Sequence, residues 1–332
     1  MRVLVTGGAG FVGSHYVRTL LAGGYPGYES AEVTVLDKLS YAGNAENIPL
    51  SHPRLRLVRG DICDAALLRE VLPGHDAVVH FAAESHVDRS LDDPGVFTRT
   101  NVLGTQTLLD ACLRAAVPRM VHISTDEVYG SITEGSWTER SPLEPNSPYA
   151  ASKAASDLAV RAYWRTFGLN VSITRSSNTY GPHQHPEKLI PHFTTRLLDG
   201  EPVPLYGTGR NVRDWVHVDD HARAVQTVLT GGAAGEVYHV GGGNELTNLA
   251  ITDRLLALCG ADPALVRHVA DRKGHDQRYS LDCTKIRDEL GFTPRVGFDD
   301  GLAATVDWYR HHRGWWQRAQ QRTRDEQEGT SA

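Results

Sequence analysis

The chain has 332 residues, 40% hydrophobic and 22% charged, with 34 Lys and Arg against 40 Asp and Glu for a net charge of −6. That length exceeds a usual single core and predicts two lobes, while the mild acidity speaks against nucleic acid or an anionic membrane as the main partner. No secretory signal or membrane span precedes Val3-Leu4-Val5, and Cys63, Cys112, Cys259 and Cys283 lie scattered with no Cys-x-x-Cys pair, so a soluble cytoplasmic protein with reduced thiols and no metal is expected.

Short apolar runs at 3–5, 33–36, 55–58, 77–81, 120–123 and 171–174 are rich in Val and Ile, which predicts buried strands. Helix-like stretches at 13–21, 65–71, 97–115 and 149–166 lie between them. Alternating strands and helices make an α/β fold of Rossmann type: a doubly wound parallel sheet with both faces covered and ligands at the strands' carboxyl rim. After about 175 the pattern breaks up around Pro182, Pro186, Pro191, Pro202 and Pro204, which reads as a smaller, discontinuous C-terminal substrate lobe. Residues 214–230 read as one more strand and helix returning to the sheet. The expected division is therefore 1–177 plus about 214–240 for an NAD-binding domain, and 178–213 plus about 241–316 for the second lobe. Residues 317–332 are polar without apolar periodicity and read as a frayed, flexible tail.

Directly after the first strand, Gly7-Gly8-Ala9-Gly10-Phe11-Val12-Gly13 spaces Gly7, Gly10 and Gly13 as Gly-x-x-Gly-x-x-Gly before a helix. Glycine suits a sharp turn and a close backbone approach to a pyrophosphate, and the helix N-terminus offers free N–H groups to it. Phe11 and Val12 lie within this loop. Asp37 closes the second strand, where a carboxylate accepts from a ribose diol and repels a 2′-phosphate, favouring NAD over NADP. Lys38 beside it is a cation near that diol. Asp61-Ile62, ending the third strand, are placed to meet the adenine, with a helix cap as the alternative role for Asp61. Phe81, Ala82, Ala83, Glu84 and Ser85 end the fourth strand with mostly small residues, leaving room for ligand.

Tyr149 and Lys153 sit four apart in a helical stretch and share a face. An ammonium beside a phenol favours the phenolate, which accepts a hydroxyl proton while hydride leaves the carbon. The fifth strand ends in Ser124-Thr125-Asp126-Glu127. Thr125 is placed to hydrogen-bond the reacting oxygen. A dehydrogenase has no need of two further carboxyls, whereas oxidising a sugar hydroxyl acidifies the neighbouring C–H. Glu127 as base and Asp126 as acid then suit the loss of water one carbon further on. Consecutive strand residues point oppositely, so both reach one sugar only if the strand has ended there. Arg213 independently suits a diphosphate through its planar donor fork, with an ion pair to Asp214 as the alternative. Asn178 is a plausible amide contact to the same group.

With these residues the chain resembles the dTDP-glucose 4,6-dehydratases, a family of extended short-chain dehydrogenases. The resemblance rests on Thr6 to Gly13, Asp37-Lys38-Leu39-Ser40-Tyr41-Ala42-Gly43-Asn44 and Ser124-Thr125-Asp126-Glu127-Val128-Tyr129-Gly130. Pro186-Glu187-Lys188-Leu189-Ile190-Pro191, Arg213-Asp214-Trp215 and Gly274-His275-Asp276 carry it to about residue 312. It implies bound NAD, a dTDP-glucose substrate and a homodimer formed through helices at about 97–115 and 149–166. It implies that Tyr149 deprotonates the C4 hydroxyl as hydride passes to NAD⁺, that Glu127 removes the C5 proton and Asp126 protonates the leaving C6 hydroxyl, and that hydride then returns to C6. By motif matching, Ser85, Asn178, Lys188, Leu189, Pro204, Tyr206, Arg213, Asn248, Arg272, His275 and Tyr279 would surround the sugar nucleotide. Related 4-epimerases lack the Asp-Glu pair, and related decarboxylases keep only the glutamate. The chain departs from the family pattern at Thr179, where a second asparagine is usual, and at His183-Gln184-His185, which replaces a more aromatic stretch.

Overall fold

The computed structural model describes residues 1–329, with side chains through Asp325. The expected strand–helix alternation is present in its first half. The elements run β1 (Arg2–Thr6), α1 (Phe11–Leu21), β2 (Glu32–Asp37), β3 (Leu55–Arg59), α2 (Ala65–Val71), β4 (Ala77–His80), α3 (Val87–Asp92), α4 (Pro94–Phe97), α5 (Thr105–Arg114), β5 (Arg119–Thr125), α6 (Pro148–Phe167) and β6 (Val171–Ser176). The stretch read as one helix at 97–115 is divided by a π-helical turn over Thr98–Gly104. Inside that turn the buried Asn101 amide accepts from Glu84 N at 2.8 Å and donates to Ser152 Oγ at 2.8 Å, tying α6 to the loop after β4.

The second half comprises β7 (Asn178–Tyr180), α7 (Leu189–Leu198), β8 (Val203–Tyr206), β9 (Val212–His217), α8 (Val218–Gly231), β10 (Val237–Val240), β11 (Glu245–Thr247), α9 (Asn248–Cys259), β12 (Val266–Val269), α10 (Thr284–Leu290), α11 (Phe298–His311) and α12 (Arg313–Gly329). Seven parallel strands form the main sheet in the order β10-β6-β5-β4-β1-β2-β3. The order reverses between β1 and β4, and ligands bind at such switch points. Two apolar clusters cover the faces, one around Val5, Tyr16, Leu20 and Val225, the other around Leu4, Leu36, Leu108 and Met120. The smaller lobe has its own core around Tyr180, Phe193, Trp215, Leu255 and Leu302.

Two expectations are corrected. The strand that returns to the main sheet is β10, not the segment at Asp214. Asp214 lies in β9, which pairs with β7 and β11 in a separate three-stranded sheet. The helix that follows, α8, does pack on the main sheet and α1 as expected. The tail is also helical: α12 begins at Arg313 and extends past 317, because Trp315, Trp316 and Ala319 are buried while the remaining face is polar. Residues 330–332 of the expected tail lie outside the described residues.

Candidate functional site

The glycine loop closes tightly over the switch point. Gly7 has φ +69, and a Cβ there would stand 2.5 Å from Ala82 N; one on Gly13 would meet Gly7 O at 2.3 Å. Gly10 caps α1 with no side chain occupying the cap position, so the first N–H groups of an 11-residue helix stay available to an anion. Asp37 is held by Ala9 N at 2.9 Å and Leu39 N at 2.8 Å. Lys38 pairs with Asp61 at 3.1 Å. Asp61 does not cap α2; Asp64 does, accepting from Ala66 N and Leu67 N. Gly7, Gly10, Phe11, Val12, Gly13, Asp37, Lys38, Asp61, Ile62, Phe81, Ala82, Ala83 and Ser85 all line one cavity of about 320 Å³, together with Thr125, Asp126, Glu127, Tyr149, Lys153 and Asn178.

Tyr149 and Lys153 are placed by α6, whose start is set by Ser147 accepting from Ala150 N with Pro148 in the first turn. Lys153 Nζ donates to Ile123 O at 2.7 Å, which anchors the lysine on the last residues of β5. Burial takes its ammonium down to about 8, against the opposing charge of Asp157. Burial likewise pushes the Tyr149 phenol far up, the charge of Glu127 adds to the rise, and a hydrogen bond with Thr125 opposes it.

The strand does end at Thr125. Asp126–Tyr129 form a 3₁₀ turn, capped by Thr125 Oγ1, which accepts from Glu127 N at 3.2 Å. The turn brings both residues to the lining of the cavity that also holds Tyr149. Their surroundings differ. Asp126 is 1% exposed; burial and the neighbouring Glu127 charge push its carboxyl well above the usual range, against the pull of Arg213. Its Oδ1 accepts from Thr125 Oγ1 at 3.2 Å and its Oδ2 has no protein partner. Glu127 is raised by burial, but Lys188 and Arg213 act to keep it ionised. Two neighbouring carboxyls held in unequal environments suit an acid and a base.

Glu127, Asn178 and Lys188 also border a second cavity of about 420 Å³, lined by Leu189, Pro204, Tyr206, Arg213, Asn248, Arg272, His275 and Tyr279. Every residue expected from motif matching therefore lies on one connected cleft. Arg213 does not pair with Asp214, whose carboxylate accepts from Gly242 N at 2.9 Å and Asn244 N at 2.6 Å. Instead Arg213 packs 4.1 Å over the Tyr279 ring and donates to Asp276 O at 2.9 Å. Buried Asn178 Oδ1 and Asn248 Oδ1 have no protein partner, which fits a polar ligand in this cleft. Lys188 Nζ donates to Ser85 O at 2.5 Å and joins the two lobes.

Some functional neighbours carried no motif. Asp88 grips Arg272 with two contacts of 2.5 and 2.9 Å. Beneath Lys153, Asp157 accepts from Arg175 Nε at 2.8 Å, and Arg175 donates to Tyr129 OH at 2.5 Å, so one buried network joins α6 to the Asp126–Tyr129 turn. An arginine inside an apolar strand was the available signal, because a buried charge demands a partner.

The chain matches the family model described as GDP-mannose 4,6 dehydratase over residues 4–305. It is 61% identical over 319 residues to a dTDP-glucose 4,6-dehydratase from Streptomyces niveus, with 96% of this chain and 95% of that one covered. The solved structure of DesIV, a dTDP-glucose 4,6-dehydratase from Streptomyces venezuelae with NAD bound, is 66% identical with a TM-score of 0.95, covering 96% of this chain and 100% of that one. A UDP-glucose 4-epimerase from Thermotoga maritima is more distant, at 33% identity and a TM-score of 0.86 over 94% of this chain and 99% of that one.

Proposed function

The chain belongs to the extended short-chain dehydrogenase family that this model describes, among its dTDP-glucose 4,6-dehydratases, and we propose that its two catalytic pairs act in turn on one hexose. The reaction converts dTDP-glucose to dTDP-4-keto-6-deoxyglucose and water. NAD, held by the glycine loop and Asp37, supplies the hydride acceptor and donor and a positive charge that favours the Tyr149 phenolate. Tyr149 takes the C4 hydroxyl proton, with Lys153 stabilising the phenolate and Thr125 bonding the reacting oxygen. Glu127 removes the C5 proton, Asp126 protonates the departing C6 oxygen, and Glu127 returns a proton to C5.

One observation carries this reading: the 3₁₀ turn that ends β5 and sets Asp126 and Glu127 on the wall shared with Tyr149. The diphosphate would lie along Arg213, Arg272, Asn178 and Asn248, with the base toward Leu189, Pro204, Tyr206 and His275. Residues 1–177 with α8 and β10 (about 218–240) would serve the cofactor, and 178–217 with about 241–316 the sugar nucleotide. Incubation with dTDP-glucose in heavy water should yield the 4-keto-6-deoxy product carrying deuterium at C5. Formation of dTDP-galactose alone would favour a 4-epimerase, and a UDP-glucose control measures the strictness for thymidine.

The partner is a second copy of the chain. Val96, Leu103, Leu158 and Phe167 are 42%, 51%, 56% and 55% exposed on α4, the π turn and α6, an apolar face suited to a homodimer. A cytoplasmic setting fits the four free cysteines. No helix among the described residues is long and apolar enough to cross a membrane.

A further inference from the structure

Asn47 lies outside every motif of the catalytic reading, yet it is 2% exposed and joins four parts of the chain. Its Nδ2 donates to Ala9 O at 3.1 Å, inside the glycine loop. The same carbonyl accepts from Asn44 N at 3.0 Å. Its Oδ1 accepts from Trp315 Nε1 at 2.9 Å, and its own carbonyl from Arg18 Nη1 at 2.6 Å on α1. The histidine departure meets the same amide: His183 Nδ1 stands 3.3 Å from Asn47 Oδ1, and its ring packs on Trp308 and Trp315.

The C-terminal helix makes two further contacts with segments near the cofactor cleft. Arg318 pairs with Glu46 at 2.7 Å, one residue before Asn47. Further along α12, Thr323 Oγ1 meets His185 Nε2 at 3.2 Å, and His185 lines the cofactor cavity. An amide side chain has distinct donor and acceptor ends. The indole N–H on Oδ1 therefore fixes which way round Asn47 sits, and so keeps its Nδ2 on Ala9 O.

We propose that Asn47 is a positioning residue for the dinucleotide loop, that Trp315 of α12 sets its orientation, and that the C-terminal helix thereby controls how long NAD is retained. This rests on the reading of the glycine loop as the NAD site. Retention has a purpose here, because the cofactor must return to the same sugar what it took.

The test compares two tryptophans on one helix. Trp315→Phe keeps an aromatic ring but removes the N–H that bonds Asn47. Trp316→Phe removes an N–H that bonds only Tyr309 O, at 3.0 Å. The readouts are NAD content after desalting and the NAD dissociation rate, with KM for dTDP-glucose measured at saturating NAD. Trp315→Phe and Asn47→Ala should release NAD roughly three- to tenfold faster, the usual weight of one neutral hydrogen bond, with KM for the sugar nucleotide unchanged. Trp316→Phe should retain NAD as wild type does. Equal retention in Trp315→Phe and wild type, or equal loss in both tryptophan variants, would overturn the proposal. Wild-type protein that binds no NAD would instead overturn the reading of the glycine loop.

Discussion

Glu127→Gln separates the two half-reactions. The amide keeps the size of the side chain and cannot take the C5 proton. Loss of a positioned general base costs roughly 10²- to 10⁴-fold, about 2.7 to 5.4 kcal/mol of barrier at about 1.36 kcal/mol per tenfold. The oxidation step should respond in the opposite sense. The Glu127 charge raises the Tyr149 phenol, so its removal makes the phenolate easier to form. Reduced nicotinamide should then appear within about threefold of the wild-type rate, or faster, and accumulate because elimination stalls. The assay is a single turnover with NAD-loaded enzyme, following nicotinamide absorbance and the 4-keto-6-deoxy product separately. If both steps fall by the same factor, Glu127 supports structure and its role as base is wrong.

Elimination should show a bell-shaped pH profile, since Glu127 must be ionised and Asp126 protonated while burial raises both carboxyls. The acid limb lies above the usual carboxylate range and the alkaline limb reflects the more strongly raised Asp126; the two limbs belong to the pair. In Asp126→Asn the alkaline limb of the residual rate should vanish, and its survival would contradict the assignment. Asp157→Asn should destabilise the fold by about 3–5 kcal/mol, because it leaves Arg175 buried without its carboxylate. Denaturant titration measures this, and the double variant Asp157→Asn, Arg175→Met should recover part of the loss. Burial opposes the Asp157 charge, but Arg175 and His122 outweigh it and hold the carboxyl down at about 2. The stability it contributes is therefore complete above the unfolded carboxylate range and is lost as pH falls toward 2. Leu158→Glu places a charge on the exposed apolar face of α6 and should shift sedimentation from dimer to monomer; an unchanged dimer places the interface elsewhere.

The cofactor half of the site was legible because its requirements are local. A glycine loop needs three positions without side chains, and Tyr149 and Lys153 need one helix face. Six of the seven main strands were readable as apolar runs. The seventh, Val237–Val240, contains His239, which looks polar in sequence but is buried against Tyr129 OH at 2.6 Å. The segment at Asp214 was misplaced because a buried strand does not announce which sheet it joins. The C-terminal helix was missed because its apolar anchors, Trp315 and Trp316, sit at its start and the rest is polar. Asn47, Asp88 and Asp157 act through partners 29 to 268, 184 and 18 residues away, and no spacing rule reaches so far.

The mechanism requires that Asp126 and Glu127 both face one sugar from the end of β5. The most direct measurement is a crystal structure of the Tyr149→Phe variant with NAD and dTDP-glucose bound. In it the Glu127 carboxylate should stand against C5 and the Asp126 carboxyl within hydrogen-bond distance of the C6 hydroxyl. A bound sugar met by only one of the two, with Asp126 turned away from it, would contradict the mechanism.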